Sequence, residues 1–353
     1  MHNGTQTLRS SAAGVSPSET FAEVSTVSAA APLMSVRDLR VSFPSEDGLV
    51  PAVRGVSFNV LPGQCFGIVG ESGSGKSVTS LALMGLLPPG PGSIIEGEVN
   101  FGGRDLRRLR PEQMRKLCGS EIAMVFQEPM TSLNPAFTVG DQIAEVVVTH
   151  EHVSVRAARA RALELLKEVR IAAPERRLDE YPHRLSGGMR QRVMIAIALA
   201  CRPKMLIADE PTTALDVTVQ AQIMELLRVL QGEYGMSIIL ISHNLGVMSE
   251  IADEIAVMYA GRIVEQAKSA QLFENPEHPY TIGLLGAIPM PGRKRLASIR
   301  GRVPDLHALP SGCTFAPRCP FVEEACRQIE PTLHPTDLQH LTACRRAPLD
   351  RVL

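Results

Sequence analysis

The octapeptide Gly70-Glu71-Ser72-Gly73-Ser74-Gly75-Lys76-Ser77 constrains this chain more than any other stretch, because it is a complete GxxxxGK[ST] sequence set between two elements of different period. The apolar run Cys65-Phe66-Gly67-Ile68-Val69 before it reads as a buried strand, and residues 78–87 after it read as the body of a helix that starts at Lys76. The small residues from Ser72 to Gly75 let successive backbone N–H groups turn inward on an anion, and the helix aims its positive end at the same point. In such a loop Lys76 reaches the β- and γ-phosphates of a nucleotide, and the Ser77 hydroxyl takes a place on Mg²⁺. The bland alternative is a glycine-rich turn with no ligand. The strand on one side and the helix on the other favour phosphate binding, but they do not say which NTPase the chain is.

A chain of 353 residues suits one large domain plus an appendage, in two or three units. The 36 basic and 37 acidic residues leave a formal net charge of −1, and the basic run at 104–110 is broken by leucines, so nucleic acid is not expected as a partner. The longest apolar stretch, 193–208, is interrupted by Arg202-Pro203-Lys204, and no run approaches the roughly 20 residues of a membrane helix. A soluble protein that can still dock on a membrane partner is expected. The N-terminus lacks a basic region followed by an apolar core and a cleavage site, which points to the reducing cytosol and away from disulfides. Residues 1–33 are rich in Ser, Thr and Ala and read as a disordered tail.

Short strands follow, at 34–43 and 52–60, with the turn-prone Pro44-Ser45-Glu46-Asp47-Gly48 between them. Phe43 is placed either to join the core or to stack on a base. After the helix, 97–103 reads as a hairpin strand and turn, and Ile122-Ala123-Met124-Val125-Phe126-Gln127 as a buried strand whose last side chain is polar. A Gln there is commonly just a solvated strand end. Residues 139–170 are helical and charged, with Leu163, Leu166 and Val169 on one face, as in a small helical unit inserted into a larger core. Leu185-Ser186-Gly187-Gly188 opens another helix with Ser186 as its N-cap and two glycines baring the first amides, a second potential phosphate site. Residues 204–211 read as a fully buried strand that delivers the adjacent carboxylates Asp209 and Glu210 at its end. Asp209 suits holding Mg²⁺ through its water shell, and Glu210 suits orienting and polarising an attacking water. The strand 237–242 ends in His243, so a third parallel-type strand delivers a polar residue to one sheet edge, where open α/β sheets bind ligands.

Taken together, the phosphate loop, the Gln127 loop, the Leu185-Ser186-Gly187-Gly188 signature, the Asp209/Glu210 strand, the Ala214-Leu215-Asp216 loop and His243 resemble the ATP-binding subunit of an ABC transporter. The resemblance implies an α/β fold, an ABC-type P-loop ATPase with a RecA-like core, an antiparallel β subdomain and a helical subdomain at about 139–200, the whole cassette spanning 34–273. It further implies that Phe43 stacks on adenine, that residues Gly70 to Val78 hold ATP, that Gln127 joins the Mg²⁺ shell and senses the membrane partner, that Glu210 is the catalytic base, and that His243 contacts the γ-phosphate. Two cassettes close face to face in that family, so Ser186 and Gly188 would contact ATP held by the other subunit, and Gly187 and Asp216 are further nucleotide-binding residues. Met189 departs from the common LSGGQ signature. SGGMRQRV, QEPMTSLNP and Asn275-Pro276-Glu277-His278-Pro279-Tyr280-Thr281 are similar to the dipeptide and oligopeptide importer branch. That branch pairs two different ATPase subunits beneath two transmembrane permeases, fed by an extracytoplasmic binding protein, and places the ATPases on the cytoplasmic face of the membrane. Nickel or an opine remains open as cargo. A non-transport ABC ATPase is the rival, although such proteins commonly carry two cassettes or a long coiled-coil insertion. A switch-type GTPase would need an Asn-Lys-x-Asp motif, which the sequence lacks.

Residues 274–353 are expected to form a C-terminal domain. There Cys313, Cys319, Cys326 and Cys344 are spaced C-x5-C-x6-C-x17-C in a Pro-rich stretch, whereas Cys65, Cys118 and Cys201 lie scattered among apolar neighbours and read as core. Four clustered thiols in a reducing compartment suggest metal, although the spacing matches neither a zinc ribbon nor the bacterial ferredoxin run. The resemblance to importer subunits implies a [4Fe–4S] cluster held by the four. His307, His334 and His340 keep a Cys/His Zn²⁺ site as the runner-up. In either case the metal would tie together a stretch with too few large apolar residues to fold by core burial alone.

Overall fold

In the computed structural model, residues 1–2, 31–88, 92–213, 215–288, 299–337 and 339–349 are described. Residues 3–30 of the expected tail therefore lie outside the described residues, as does Ala214. Two antiparallel strands, β1 (Met34–Ser45) and β2 (Gly48–Val60), precede β3 (Cys65–Val69), which delivers the phosphate loop to α1 (Lys76–Leu83). The strand β4 (Ile94–Phe101) and the two-residue β5 (Arg104–Asp105) complete a four-stranded antiparallel sheet in the order β2-β1-β4-β5. The first hairpin is tighter than its sequence suggests, because pairing continues through Pro44 opposite Leu49 and Ser45 opposite Gly48. Helix α1 stops four residues short of Leu87. Gly85 takes φ +63° just past its end, and the amides of Gly85 and Leu86 return to the carbonyls of Ala82 and Leu81, a glycine-terminated cap that closes the helix.

The chain then runs through α2 (Pro111–Leu117), β6 (Ile122–Val125) and the single turn α3 (Pro129–Ser132) into α4 (Val139–Glu151), α5 (Val155–Glu168) and α6 (Pro174–Arg177). Thr138 and Ser154 cap α4 and α5 by accepting from the amides of Asp141 and Ala157. Ala158, Ala162, Leu165 and Leu166 form one buried stripe at helical spacing against the main core, so this segment packs on its neighbours with one face and leaves the charged face to water. After α7 (Gly187–Ala198) come β7 (Met205–Asp209), α8 (Val217–Tyr234), β8 (Ser237–Ser242), α9 (Leu245–Ile251), β9 (Glu254–Tyr259) and β10 (Arg262–Lys268).

The second sheet has eight strands. The last elements are α10 (Ser269–Glu274), α11 (Pro279–Gly286), β11 (His334–Asp337) and β12 (His340–Thr342), and the strand order is β11-β12-β10-β9-β3-β8-β7-β6. From β9 to β6 the pairing is parallel, and from β9 outward to β11 it is antiparallel. Every residue of β3, β7 and β8 is buried, which explains why these strands read as continuous apolar runs and not as alternating ones. Because β3, β8, β7 and β6 run the same way, their C-terminal ends bring the phosphate loop, His243, Asp209/Glu210 and Gln127 to one edge.

Candidate nucleotide site

The chain leaves β3 at Gly70, where an added Cβ would lie 2.1 Å from the Met258 carbonyl oxygen of β9, so only glycine can turn so close to the neighbouring strand. The loop ends at Gly75, in the left-handed region with φ 102°, from which α1 starts. Lys76 Nζ donates to the carbonyl oxygens of Gly70 at 2.8 Å and Glu71 at 3.0 Å. Burial lowers the pKa of this ammonium, against the attraction of Glu210, Asp209 and Glu71.

At the end of β7, Asp209 accepts a hydrogen bond from the Ser77 hydroxyl at 3.1 Å and lies 3.4 Å from Ser80 Oγ. Burial pushes the Asp209 carboxyl up, opposed by the Ser77 hydrogen bond and reinforced by the charge of Glu210. Glu210 has φ +47°, and its amide still bonds the Ile241 carbonyl of β8 at 2.9 Å. That left-handed turn is uncommon for a residue with a Cβ and costs of order 1–3 kcal/mol, but it frees the second carboxylate from the alternation of the strand. Its Oε2 accepts from Gln127 Nε2 at 3.0 Å and Thr213 Oγ1 at 2.9 Å, and lies 3.1 Å from His243 Nδ1. Three strand ends thus meet on one carboxylate oxygen. Strand β6 stops at Val125, two residues before Gln127, and the Gln127 amide donates to Glu210, so its side chain is held by a partner and is not a free strand end. Thr213, three residues beyond Glu210, was not singled out in the sequence, and only its place just after the Glu210-Pro211 pair marks it.

The remaining expected residues are placed elsewhere. Phe43 sits on β1 opposite Val50, half-buried against the core that the first sheet shares with α1, and Val78 packs on the same core. Ser186 caps α7 by accepting from the Met189 amide, and Asp216 caps α8 by accepting from the Val219 amide. The two caps adjoin, since a Cβ on Gly187 would lie 3.4 Å from Leu215, and one on Gly188 only 2.7 Å from Val219. Among the described residues, the hydrogen bonds of Ser186 and Asp216 stay within this group and do not reach the phosphate loop.

The metal expectation for the tail is corrected. Cys313, Cys319, Cys326 and Cys344 line one small cavity of about 20 Å³ together with Phe315 and Phe321, yet among the described residues no group of three or more His, Cys, Asp or Glu is arranged to hold a metal. This removes both the iron–sulfur reading and its zinc alternative. All seven cysteines are free, and burial pushes the thiols of Cys313, Cys344 and Cys319 up, the last to about 11, so these are neutral packing groups. The segment folds against the rest of the chain and not alone. Phe315 is 2 % exposed with its ring centroid 5.3 Å from Tyr259 and 5.4 Å from Tyr280. The strand β12 pairs with β10, and Glu330 bridges Arg54 and Arg262 at 2.8 Å each. The tail borrows the cassette's core.

Comparison with known proteins agrees with this geometry. Residues 53–213 match the family described as ABC transporter, and residues 264–326 match the oligopeptide/dipeptide transporter C-terminal region. The dipeptide transport ATP-binding protein DppD of Haemophilus influenzae is 54 % identical over 304 residues, covering 86 % of this chain and 92 % of that protein. Its counterpart in Escherichia coli is 51 % identical over 304 residues, covering 86 % and 93 %. Among solved structures, the dimeric post-hydrolysis state of the ATP-binding cassette MJ0796 with ADP and Pi superposes with a TM-score of 0.60 at 29 % identity, over 67 % of this chain and 98 % of that one. The chain belongs to the ATP-binding subunits of the ABC transporter family, in the branch that carries the oligopeptide/dipeptide C-terminal region.

Proposed function

We propose that this chain is the ATPase subunit that energises import of di- or oligopeptides, peripheral on the cytoplasmic face of the membrane, beneath two permeases and beside a second, homologous ATPase. Among the described residues no helix is long and apolar enough to cross a membrane, in keeping with a subunit that docks and does not span. The observation that carries the chemistry is the meeting of Gln127, Thr213 and His243 on Glu210, one residue from the Asp209 that accepts from Ser77. Lys76 exchanges its loop carbonyls for β- and γ-phosphate oxygens of ATP, and Phe43 stacks on the adenine. The Ser77 hydroxyl and Asp209 carboxylate are hard oxygen donors of the kind Mg²⁺ takes, and Gln127 completes that set. When bound, the ion would draw off charge that builds on the phosphate oxygens. Glu210 orients the attacking water and accepts its proton, while Gln127, Thr213 and His243 hold the carboxylate at one angle and His243 turns its other ring nitrogen to the γ-phosphate.

The joined caps of Ser186, Gly187, Gly188 and Asp216 serve the ATP of the partner subunit, a reading supported by their separation from this chain's own loop. The relatives named for dipeptide and oligopeptide transport support peptides as cargo, delivered by an extracytoplasmic binding protein. The test is ATP turnover by the full chain alone and then assembled in vesicles with the partner ATPase, permeases and binding protein. Slow turnover alone and stimulation by peptide-loaded binding protein are expected. A strictly monomeric chain that hydrolyses ATP at the full rate of the complex would overturn the shared site, and stimulation by nickel but not peptide would replace the cargo.

A further inference from the structure

Glu71, the second residue of the phosphate loop, is held on every polar group it has. Its carbonyl oxygen accepts from Lys76 at 3.0 Å, its amide donates to the Tyr280 hydroxyl at 2.8 Å, and its carboxylate takes both guanidinium nitrogens of Arg318, at 2.6 and 3.0 Å. Two of these three ties come from the C-terminal region, Arg318 from 247 residues away in sequence. Arg318 is itself fixed. Its side chain is 4 % exposed, its Nε donates to the Arg300 carbonyl at 3.0 Å, and its guanidinium lies 5.7 Å from the centroid of the Tyr259 ring and 5.9 Å from that of Phe315. Bidentate pairing of this kind sets a carboxylate's direction as well as its charge.

A carboxylate on the phosphate loop is an electrostatic liability, since it stands within a few ångströms of amides that are to receive a polyanion. Left alone it would repel the nucleotide and could take up the amide donors itself. Arg318 cancels the charge and turns it toward the C-terminal region, while Tyr280 pins the amide of the same residue. We propose that Arg318 and Tyr280 are positioning residues for nucleotide binding, acting through Glu71, so that the C-terminal region sets the shape and charge of the phosphate loop. This rests on the reading of that loop as the ATP site.

The experiment measures MgATP affinity of the full-length chain by equilibrium binding, with thermal unfolding in parallel. Arg318→Met should weaken binding about tenfold, in the range of coupling between groups of one charge network. The defect should shrink in high salt, as repulsion between an exposed Glu71 and phosphate is screened. Arg318→Lys should fall between the two. Glu71→Gln, which removes the charge, should restore most of the affinity when combined with Arg318→Met. A purely structural Arg318 would instead lower stability and affinity together, with no rescue by Glu71→Gln, and that result overturns the proposal. Wild-type affinity in a folded Arg318→Met protein overturns it as well. If Arg318→Met does not fold, Tyr280→Phe decides, with a few-fold weaker binding expected and unchanged binding refuting. Lys76→Ala separates the two readings, because wild-type affinity there would sink the ATP site itself and not the clamp.

Discussion

Replacing Glu210 by Gln isolates the charge of one carboxylate from its shape. If the amide oxygen takes the place of Oε2, it still accepts from Thr213 at about the present 2.9 Å and from Gln127 at about 3.0 Å, so the pocket should survive the change. What is lost is the proton acceptor and the negative charge beside the attacking water. Loss of a general base costs about 10²–10⁴-fold in rate, which corresponds to about 3–5 kcal/mol of transition-state stabilisation. The assay is ATP turnover in the assembled transporter together with equilibrium nucleotide binding by the same variant. Turnover should fall by that factor with affinity unchanged, the pattern of an interaction made only in the transition state. Near wild-type hydrolysis by the confirmed variant would remove Glu210 from the chemistry, and equal losses of affinity and rate would mean that the residue shapes the pocket and does not act on water.

Gly70→Ala puts a Cβ 2.1 Å from the Met258 carbonyl oxygen, and because the obstacle is backbone the loop must shift; a loss of about 1–3 kcal/mol in thermal stability and a marked loss of nucleotide affinity are expected, and unchanged values of both would refute the close approach. A third prediction concerns pH. His278 is buried, accepts from the Tyr280 amide through Nδ1 at 3.1 Å, and burial lowers its pKa to about 4. A depressed folded pKa gives stability that is present above the unfolded value of about 6.5 and lost as pH falls through about 4, some 3 kcal/mol in all. His340, raised by its hydrogen bond to Glu265 in spite of its burial, works the other way, since its contribution is full below about 6.5 and fades as pH rises through its folded value. On going from pH 7 to 5 the stability of the full chain should therefore fall less in His278→Asn than in wild type, or rise where His340 then dominates, and identical slopes would sink the argument.

The parts of the site that lie on parallel strands were legible because each strand is an unbroken apolar run that ends in a polar residue, a pattern that survives without any knowledge of neighbours. Met205–Asp209 and Ser237–Ser242 are of this kind, and Cys65–Val69 is an unbroken apolar run that leads straight into the phosphate loop. The Ser186 cap follows from local chemistry in the same way. Which side chain meets which was not legible. Nothing at 127 says that its amide will settle on Glu210, and nothing in either segment joins Glu71 to Arg318, because both pairings are fixed by sheet order and not by local pattern. The tail was misjudged for a related reason. The burial of its cysteine-bearing stretch depends on Tyr259 and strand β10, and a count of that stretch's own apolar residues leaves those partners out.

The pairing of β12 with β10 decides where this protein can be divided. The boundary at residue 273 falls between Glu265 and everything that satisfies it: its carboxylate, fully buried, accepts from the amides of Glu277 and His278 and from His340. A fragment ending there would strip that carboxylate of these three donors and would finish its large sheet on a naked strand. In the intact chain the outermost strand is instead β11, four residues long with Pro335 in it, which is a poor template for a stranger's backbone. The match to the oligopeptide/dipeptide C-terminal region, which begins at residue 264, takes in Glu265 together with Glu277 and His278, and the later segment finishes the large sheet.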